Sequence, residues 1–484
     1  MGFGHWDLGF DFAGFSYNPG VTTTTATQTG QSLERRLGPL DAAALIVSNV
    51  IGAGILFTPP QIAAAVPSAL AFLSIWLAGG LLAFAGAMAY AELAAQRPRA
   101  GGEYVYLRDA FGPVAAFLTG WTSFVAGFSG AIAASAVVFP FYLARFVPAA
   151  ADSTPFFTVP VLPGTLELSL STQTACALAL IWGLAFIHLR GVGPGRLVGN
   201  LLAALKVSAF VLFIAFGFAI GTGDAARLTE TVAPVTATGW VLALLAVGFT
   251  YSGWNAAAYV AEEIRDPGRN VPRAFALGTA AVIAIYLAMN ALYLYVVPIG
   301  ELAGLQGSVL DFVADRLIGP TAGNIMGIVG LISLAATVSA MTFAGPRVYF
   351  AMARDGSFFK RAATIHPRYR TPAAAILAQS LWASALVLTA KADALINYTG
   401  FAIWLFSGIA VTALFVLRKR EPNAERPFRT WGYPVLPALY VIVAFVVVIN
   451  ALYTAPGPTG AGALVILAGI PIYLLFRRGA KDAA

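Results

Sequence analysis

The sequence has little charge, one cysteine and three histidines. Charged residues make up 11% of its 484 positions and hydrophobic residues 59%, against about 25% and 45–50% in soluble domains. This composition argues against a soluble globular fold. Cys176 stands alone inside an apolar stretch, which excludes an intramolecular disulfide framework and a cysteine-based metal site. His5, His188 and His366 lie far apart without metal-ligand spacing, so neither a metal nor a cofactor is predicted.

The formal net charge of +7 does not indicate a nucleic-acid surface, because the basic residues are not clustered with interleaved aromatics. They lie between apolar runs, which is typical of membrane topology. Residues 1–32 lack the basic start and apolar core of a cleavable signal peptide. We interpret them as a loosely ordered cytoplasmic tail.

Twelve apolar runs bounded by charge, proline or glycine predict twelve membrane-spanning helices. Each run is close to or longer than the roughly 20 apolar residues that a span needs. Their approximate bounds are 40–66, 68–96, 113–147, 172–190, 195–222, 237–263, 273–298, 322–353, 372–391, 394–418, 435–455 and 460–476.

Basic residues set the predicted orientation. With the N-terminus inside, most of the 29 lysines and arginines fall on the cytoplasmic side, which is the side that retains them. The exceptions are Arg145, Arg227, Arg316 and Lys391 outside, and Lys206 within a span. We therefore predict an integral protein of the plasma (inner) membrane with both termini in the cytoplasm.

Glycine interrupts two spans at corresponding positions. The first span contains Ile51-Gly52-Ala53-Gly54-Ile55 and the sixth contains Phe249-Thr250-Tyr251-Ser252-Gly253. The second interruption comes five spans later, an odd number, so its half enters the membrane from the opposite side. This predicts an inverted repeat with two broken helices, a pattern that indicates a transporter site at the membrane midplane. Close helix packing is the alternative reading of such glycines.

The predicted organisation follows from these spans. A first five-helix repeat covers 33–222, and a second, inverted repeat covers 237–420. Helices 11 and 12 occupy 421–476, and a cytoplasmic tail covers 477–484. The fold class is an all-α membrane protein with a five-plus-five inverted repeat and two appended helices.

A broken helix exposes backbone N–H and C=O groups that lipid cannot hydrogen-bond, so the break needs a polar ligand. N–H groups that begin one half-helix favour an anion, and carbonyls that end the other favour a cation. An α-amino acid carries a carboxylate and an ammonium at a matching separation. The two breaks therefore indicate a zwitterionic substrate.

Several motifs resemble those of the amino acid–polyamine–organocation transporters, and most of all the branch of the L-type amino acid transporters. They are IGAGILFTPP (51–60), PRAGGEYVYLRDAFG (98–112), FTYSGWNAAAYVAEEIRDPGRNVPRA (249–274), RVYFAMARDG (347–356) and IHPRYRTP (365–372). The resemblance covers about residues 33–420. It implies the five-plus-five fold described above and transport by alternating access.

The resemblance also assigns the substrate site. Backbone N–H groups of Gly52, Ala53 and Gly54 would bind the substrate carboxylate. The ammonium would meet the carbonyls of Val50, Phe249 and Ser252. Ala53 replaces the serine that commonly stands there, so a hydroxyl contact is lost while the backbone contacts remain.

Three further positions correspond to family features around the sixth-span break. By this resemblance Phe249 would be an aromatic gate that covers bound substrate from the outside, with ordinary packing as the alternative. Trp254 corresponds to the side-chain pocket, and Asn255 corresponds to a structural polar residue.

Lys206 lies about ten residues into the fifth span, hence about 15 Å deep, and an ionised group there is costly unless it has a function or a polar partner. Similar sodium-independent relatives place a fifth-span lysine where other transporters of this fold bind sodium. Its predicted partners are first-span carbonyls near Gly52 and a hydroxyl of the eighth span, Ser339 first and Thr342 next. Lys206 either exchanges a proton during transport or holds the helices, and a purely structural role is the alternative.

The sequence thus predicts a sodium-independent transporter of neutral L-amino acids, either a proton-coupled symporter or an exchanger. Transport of cationic amino acids or polyamines is the alternative, disfavoured because no acidic residue lies in the sixth-span break. A non-transporting amino acid sensor is the alternative of another class, and no constellation of catalytic groups indicates an enzyme.

Two further predictions concern carboxylates and partners. Glu262 and Glu263, beside Arg265 and Arg269, are predicted to form a solvated charge cluster or an intracellular gate. Glu92 and Glu103 are placed in the same way beside the first cytoplasmic loop. The expected partners are an amino acid, the lipid bilayer and, in the symport alternative, protons. A disulfide-linked subunit is not expected, because Cys176 lies within a span.

Overall fold

The computed structural model describes residues 33–52, 54–162, 166–221, 223–389, 392–454 and 456–481. Helices predominate throughout these ranges. The predicted tail of 1–32 and Ala53 therefore lie outside the described residues.

In the described residues, the first half of the chain forms nine α-helices. They are α1 (Pro39–Val50), α2 (Gly54–Phe57), α3 (Pro59–Ala65), α4 (Ala69–Gln96), α5 (Glu103–Phe111), α6 (Pro113–Thr122), α7 (Phe128–Leu143), α8 (Thr172–Leu189) and α9 (Val192–Ile220). One turn of π-helix, Ser123–Gly127, joins α6 to α7.

The described part of the second half forms eleven α-helices. They are α10 (Ala237–Thr250), α11 (Ala256–Tyr259), α12 (Pro267–Val296), α13 (Ile299–Gly304), α14 (Val309–Ile318), α15 (Pro320–Arg354), α16 (Ala373–Leu388), α17 (Ala392–Arg420), α18 (Val435–Thr454), α19 (Pro456–Leu467) and α20 (Gly469–Lys481).

A two-stranded antiparallel sheet departs from the expected all-helical fold. It pairs β1 (Phe157–Leu162) with β2 (Leu166–Leu170). In β2, leucines alternate with Glu167 and Ser169, the two-residue period of a strand. The sheet lies between two candidate spans, so it adds to the helical bundle without interrupting it.

Ten helical segments of the described chain are long and apolar enough to cross a membrane. α10 and α16 are apolar but shorter, with 14 and 16 residues. The mostly helical, membrane-type fold is confirmed, whereas the count of twelve spans stays a prediction.

α1 lies at the centre of the packing, in contact with α9, α12 and α15. α4 packs on α10 and α12, and α7 packs on α15. On α9 the outward side chains of Leu201, Leu205 and Leu212 are exposed, whereas Lys206 is fully buried. One face of α9 is therefore suited to lipid, and the other directs an ammonium into the bundle.

Candidate functional site

A central cavity of about 190 Å³ lies where two helices are interrupted. α1 ends at Val50 and α2 begins at Gly54, while α10 ends at Thr250 and α11 begins at Ala256. Residues of both interruptions line the cavity: Asn49, Val50, Gly52, Gly54, Phe249, Thr250, Ser252, Gly253 and Asn255. The fold thus gathers most of the predicted substrate residues around one space.

Gly253 sets the path of the chain after α10. Its φ is +103°, a conformation that side chains disfavour. A Cβ atom there would lie 2.8 Å from Nδ2 of Asn49. The same Nδ2 donates a hydrogen bond of 2.8 Å to the Gly253 carbonyl. The second interruption is therefore fastened to the end of α1.

Tyr286 on α12 also links the two interruptions. Its hydroxyl lies 3.0 Å from the carbonyl oxygen of Val50 and 3.1 Å from that of Thr250. A carbonyl has two lone pairs, so Val50 can still accept a second donor. The sequence analysis did not identify Tyr286, because a tyrosine within a long apolar span is not unusual.

The remaining cavity wall is mostly apolar. It is built mainly by the π-helical turn and by α7, α15 and α17, and π-helical turns occur frequently at functional sites. Its members are Glu103, Thr122, Ser123, Gly127, Phe128, Ala131, Ala134, Ser135, Val138, Tyr259, Thr337, Met341, Ala402, Ile403 and Phe406. A side chain without charge fits the apolar part of this wall.

Trp254 is not part of this wall, and its predicted place is corrected. Its ring packs edge-on against Tyr90, with the centroids 4.8 Å apart, and against Tyr440 at 5.7 Å. The left-handed turn at Gly253 directs the indole towards α4 and α18, where it lines a separate small cavity. Asn255, by contrast, does line the central cavity.

The ammonium of Lys206 lies between α1 and α15. Its Nζ donates to the carbonyl of Ser48 at 3.2 Å and to that of Ile51, and lies 3.5 Å from Oγ1 of Thr337. The Ser333 hydroxyl donates to the same Ile51 carbonyl at 3.2 Å. Lys206 thus connects the end of α1 to α9 and α15.

The hydroxyl partner of Lys206 is Thr337, which corrects the prediction of Ser339 or Thr342. Oγ of Ser339 lies 2.9 Å from Nε2 of His188, and Oγ1 of Thr342 donates to the carbonyl of Val338. In a helix, residues four apart share a face, whereas residues two apart do not. Thr337 therefore shares the face of Ser333 towards α1, and Ser339 faces α8.

Glu103 was predicted beside a cytoplasmic loop, yet it lines the central cavity and is buried. Its Oε1 accepts hydrogen bonds from Oη of Tyr90 at 2.6 Å and from Nδ2 of Asn255 at 2.7 Å. Gly101 and Gly102 have φ of +111° and +51° and turn α5 into the bundle. A Cβ atom on Gly102 would lie 2.7 Å from Tyr259. The two adjacent glycines of the AGGEY segment indicate a turn before Glu103. The contact of Glu103 with the sixth-span break, however, is visible only in the folded structure.

Glu262 and Glu263 have different environments, and the predicted solvated cluster is corrected for Glu263. Glu263 is fully buried and pairs with Arg347 at 2.7 Å. Glu262 pairs with Arg354 at 3.0 Å and accepts from the backbone N–H of Ala100. The neighbouring Arg265 and Arg269 form neither pair. These contacts join the segment after α11 to the end of α15.

Phe249 separates two cavities. It lines the central cavity and also a larger vestibule of about 980 Å³, which Phe57, Tyr142 and Asp311 line as well. Asp311 lies 3.4 Å from Arg145. Burial raises the pKa of Asp311, on α14 outside the candidate spans, to about 6. Phe249 therefore occupies the position that a gate between vestibule and cavity requires.

Comparison with known proteins gives consistent matches over most of the chain. A family model described as amino acid permease matches residues 37–476. The large neutral amino acids transporter small subunit 2 of Mus musculus is 30% identical, over 95% of this chain and 85% of its own. The b(0,+)-type amino acid transporter 1 of Mus musculus is 29% identical, over 92% and 88%. The serine/threonine exchanger SteT of Bacillus subtilis is 28% identical, over 91% and 96%.

Proposed function

The chain belongs to the amino acid permease family and is an integral membrane protein, and from this premise we propose that it transports neutral L-amino acids by alternating access without sodium. The family resemblance that the sequence motifs predicted is thereby confirmed. Its members compared above are named as transporters and not as enzymes.

The observation that carries the proposal is the cavity at the two helix interruptions. We assign the substrate carboxylate to the backbone N–H groups of Gly52, Ala53 and Gly54. The ammonium is assigned to carbonyls of Val50, Phe249 and Ser252. The apolar wall receives an uncharged side chain, a matching of polar ends and apolar body that is typical of small-molecule sites.

The proposed architecture is the five-plus-five inverted repeat with broken first and sixth helices. The first repeat covers 33–222, the second 237–420, and two appended helices cover 421–476. Support comes from the interruption of a helix at the start of each proposed repeat. Both termini, including the tail of 477–484, are placed in the cytoplasm and the protein in the plasma (inner) membrane. Cys176 lies within α8, a candidate span, which favours the absence of a disulfide-linked subunit.

Lys206 supports the independence from sodium. Its ammonium already binds the carbonyls of Ser48 and Ile51, which end α1. Oxygen ligands of this kind suit a cation, and a second cation at the same place would be repelled. We therefore assign the ion-coupling place to Lys206 with Thr337, where the sequence had suggested Ser339 and Thr342.

Uptake by proteoliposomes tests the proposal. Purified protein is reconstituted, and a panel of radiolabelled neutral, cationic and acidic amino acids is supplied with sodium or with choline. Saturable uptake of neutral L-amino acids that is equal in both salts supports it. Sodium-dependent uptake contradicts the assignment of Lys206, and binding without flux would indicate the sensor.

Transport of cationic amino acids is a second candidate, favoured by one observation. Glu103 brings a carboxyl to Asn255 at the sixth-span break, where the sequence alone had placed no acid. Uptake of labelled lysine and arginine in the same panel decides between the two. Preference for these substrates over leucine, alanine and serine would support the second candidate.

A further inference from the structure

The Glu103 carboxyl lies in the wall of the central cavity without a compensating cation. Its Oε1 accepts hydrogen bonds from Tyr90 and Asn255, and Tyr259 also hydrogen-bonds to the carboxyl. All three partners are uncharged, and a neutral carboxylic acid can accept from such donors while one of its oxygens carries a proton. The carboxyl is therefore able to hold a proton on Oε2.

The groups around Glu103 do not neutralise a carboxylate. The titratable side chains that face it are tyrosines from α4, α5, α11 and α18, which are uncharged near neutral pH. They are Tyr90, Tyr106, Tyr259 and Tyr440.

The nearby arginines already have partners. Arg97 binds Asp109 and Glu421, and Arg108 binds Asp355. In the described part of the chain, Glu103 takes part in no ion pair. A buried carboxylate without a cation is costly. Burial accordingly raises the pKa of Glu103, which lies on α5 between two candidate spans.

Asn255 connects this carboxyl to the substrate site. Its Nδ2 donates to Glu103 and lies 2.8 Å from Oη of Tyr259. Asn255 belongs to the same sixth-span break as Ser252 and Gly253, separated from Gly253 by Trp254. Ser252, Gly253 and Asn255 all line the cavity. A change of the break upon substrate binding would therefore change the donors to Glu103.

We propose that Glu103 is the binding site of a proton that is transported together with the amino acid. This inference rests on the proposed transport function. While the cavity is open to the outer side, a hydronium ion transfers a proton to Oε2, which forms the O–H bond and releases water. The protonated site then changes its exposure to the other side together with the bound substrate. When the cytoplasmic side opens, water hydrates the carboxyl, the O–H bond breaks, and the proton passes to that water.

The test uses proteoliposomes that contain a pH-sensitive dye and the full-length protein. An equimolar mixture of L-serine, L-alanine and L-leucine is added outside, and internal acidification is recorded beside uptake of the labelled mixture. We expect Glu103→Gln to lose both acidification and the dependence of uptake on external pH. Glu301→Gln is the matched control, because Glu301 is an exposed partner of Arg316.

Tyr90→Phe is a second variant, and it should shift the pH dependence of uptake instead of abolishing it. It removes a donor that stabilises the ionised carboxylate, so the pH midpoint of uptake should move upwards by about one unit. This shift does not depend on whether Glu103→Gln folds. A midpoint that stays in place or moves downwards would overturn the proposal.

Two other results would overturn it. Unchanged acidification with Glu103→Gln would place the proton elsewhere, with Lys206 as the next candidate. Wild-type protein that exchanges amino acids without moving protons would refute the proton site and leave the proposed transport function intact. Failure of the wild type to transport any amino acid would refute the transport function first, so the two failures are distinguishable.

Discussion

Replacement of Lys206 should slow transport without preventing folding. Lys206→Ala removes an ammonium that is bonded to the carbonyls of Ser48 and Ile51. A hydrogen bond from a charged group contributes about 1.5–3 kcal/mol. The hydroxyls of Thr337 and Ser333 lie 3.0 and 3.2 Å from the same two carbonyls and remain after the substitution. The net loss should therefore be close to that of one such bond.

This loss weakens the contact between α1, α9 and α15. It therefore changes the equilibrium between the conformations of the transport cycle. A difference of about 1.5–3 kcal/mol corresponds to a change of about 10- to 150-fold in that balance. We expect uptake rates to fall by this factor. Expression and the melting temperature should change less, because burial of an isolated charge is itself unfavourable.

Lys206→Met separates charge from volume. Methionine fills the space of the lysine stem without the ammonium, so uptake should be as low as with Lys206→Ala if the bonds to α1 matter. Lys360→Met is the control, since Lys360 is exposed. Wild-type uptake by Lys206→Met across pH 5–8 would refute both the helix-holding and the coupling roles. Normal uptake by Lys206→Met with low uptake by Lys206→Ala would reduce Lys206 to packing.

Three other predictions concern the cavity and its entrance. Gly52→Ala should weaken amino acid binding, measured by scintillation proximity, and unchanged affinity would argue against the first-span site. The melting temperature should stay the same, because the added Cβ would lie 3.4 Å from Thr337, an ordinary contact. Phe249→Ala should join vestibule and cavity and speed the dissociation of labelled substrate, with Phe57→Ala as control; an unchanged dissociation rate would contradict the gate. Burial raises the pKa of Asp311 from 3.8 to about 6, so between about pH 4 and 6 the folded chain holds a proton that the unfolded chain releases, and stability falls as pH rises. In Asp311→Asn the melting temperature should therefore fall less over this pH range than in the wild type, and an unaltered pH profile of the melting temperature would refute the prediction.

The sequence was informative where a feature depends on local composition. Apolar runs predicted the long helices, and the glycines around Gly52 and Gly253 predicted where α1 and α10 end. Lys206 was recognisable because a charge inside an apolar run needs a polar partner. Each of these inferences uses only neighbours in the chain.

The sequence was less informative where one helix must be placed against another. α15 carries hydroxyls at Ser333, Thr337, Ser339 and Thr342, and only the rotation of α15 relative to α1 selects Thr337. Glu103 reaches the cavity because Gly101 and Gly102 turn α5 inwards. Tyr286 links two carbonyls that lie 200 residues apart in the chain. Such long-range contacts leave no periodic signal.

Two ion pairs, Glu263–Arg347 and Arg145–Asp311, indicate which end of the protein should open first in the proposed orientation. On the proposed cytoplasmic side, Glu263 and Arg347 form a fully buried pair, and breaking such a pair leaves an uncompensated charge. On the proposed outer side, the Arg145–Asp311 pair is longer and partly exposed, and a large vestibule reaches Phe249. In the proposed orientation, the conformation is closed more firmly on the cytoplasmic side. Substrate and proton should enter from the vestibule past Phe249, and separation of Glu263 from Arg347 should be the later and more costly step of the cycle.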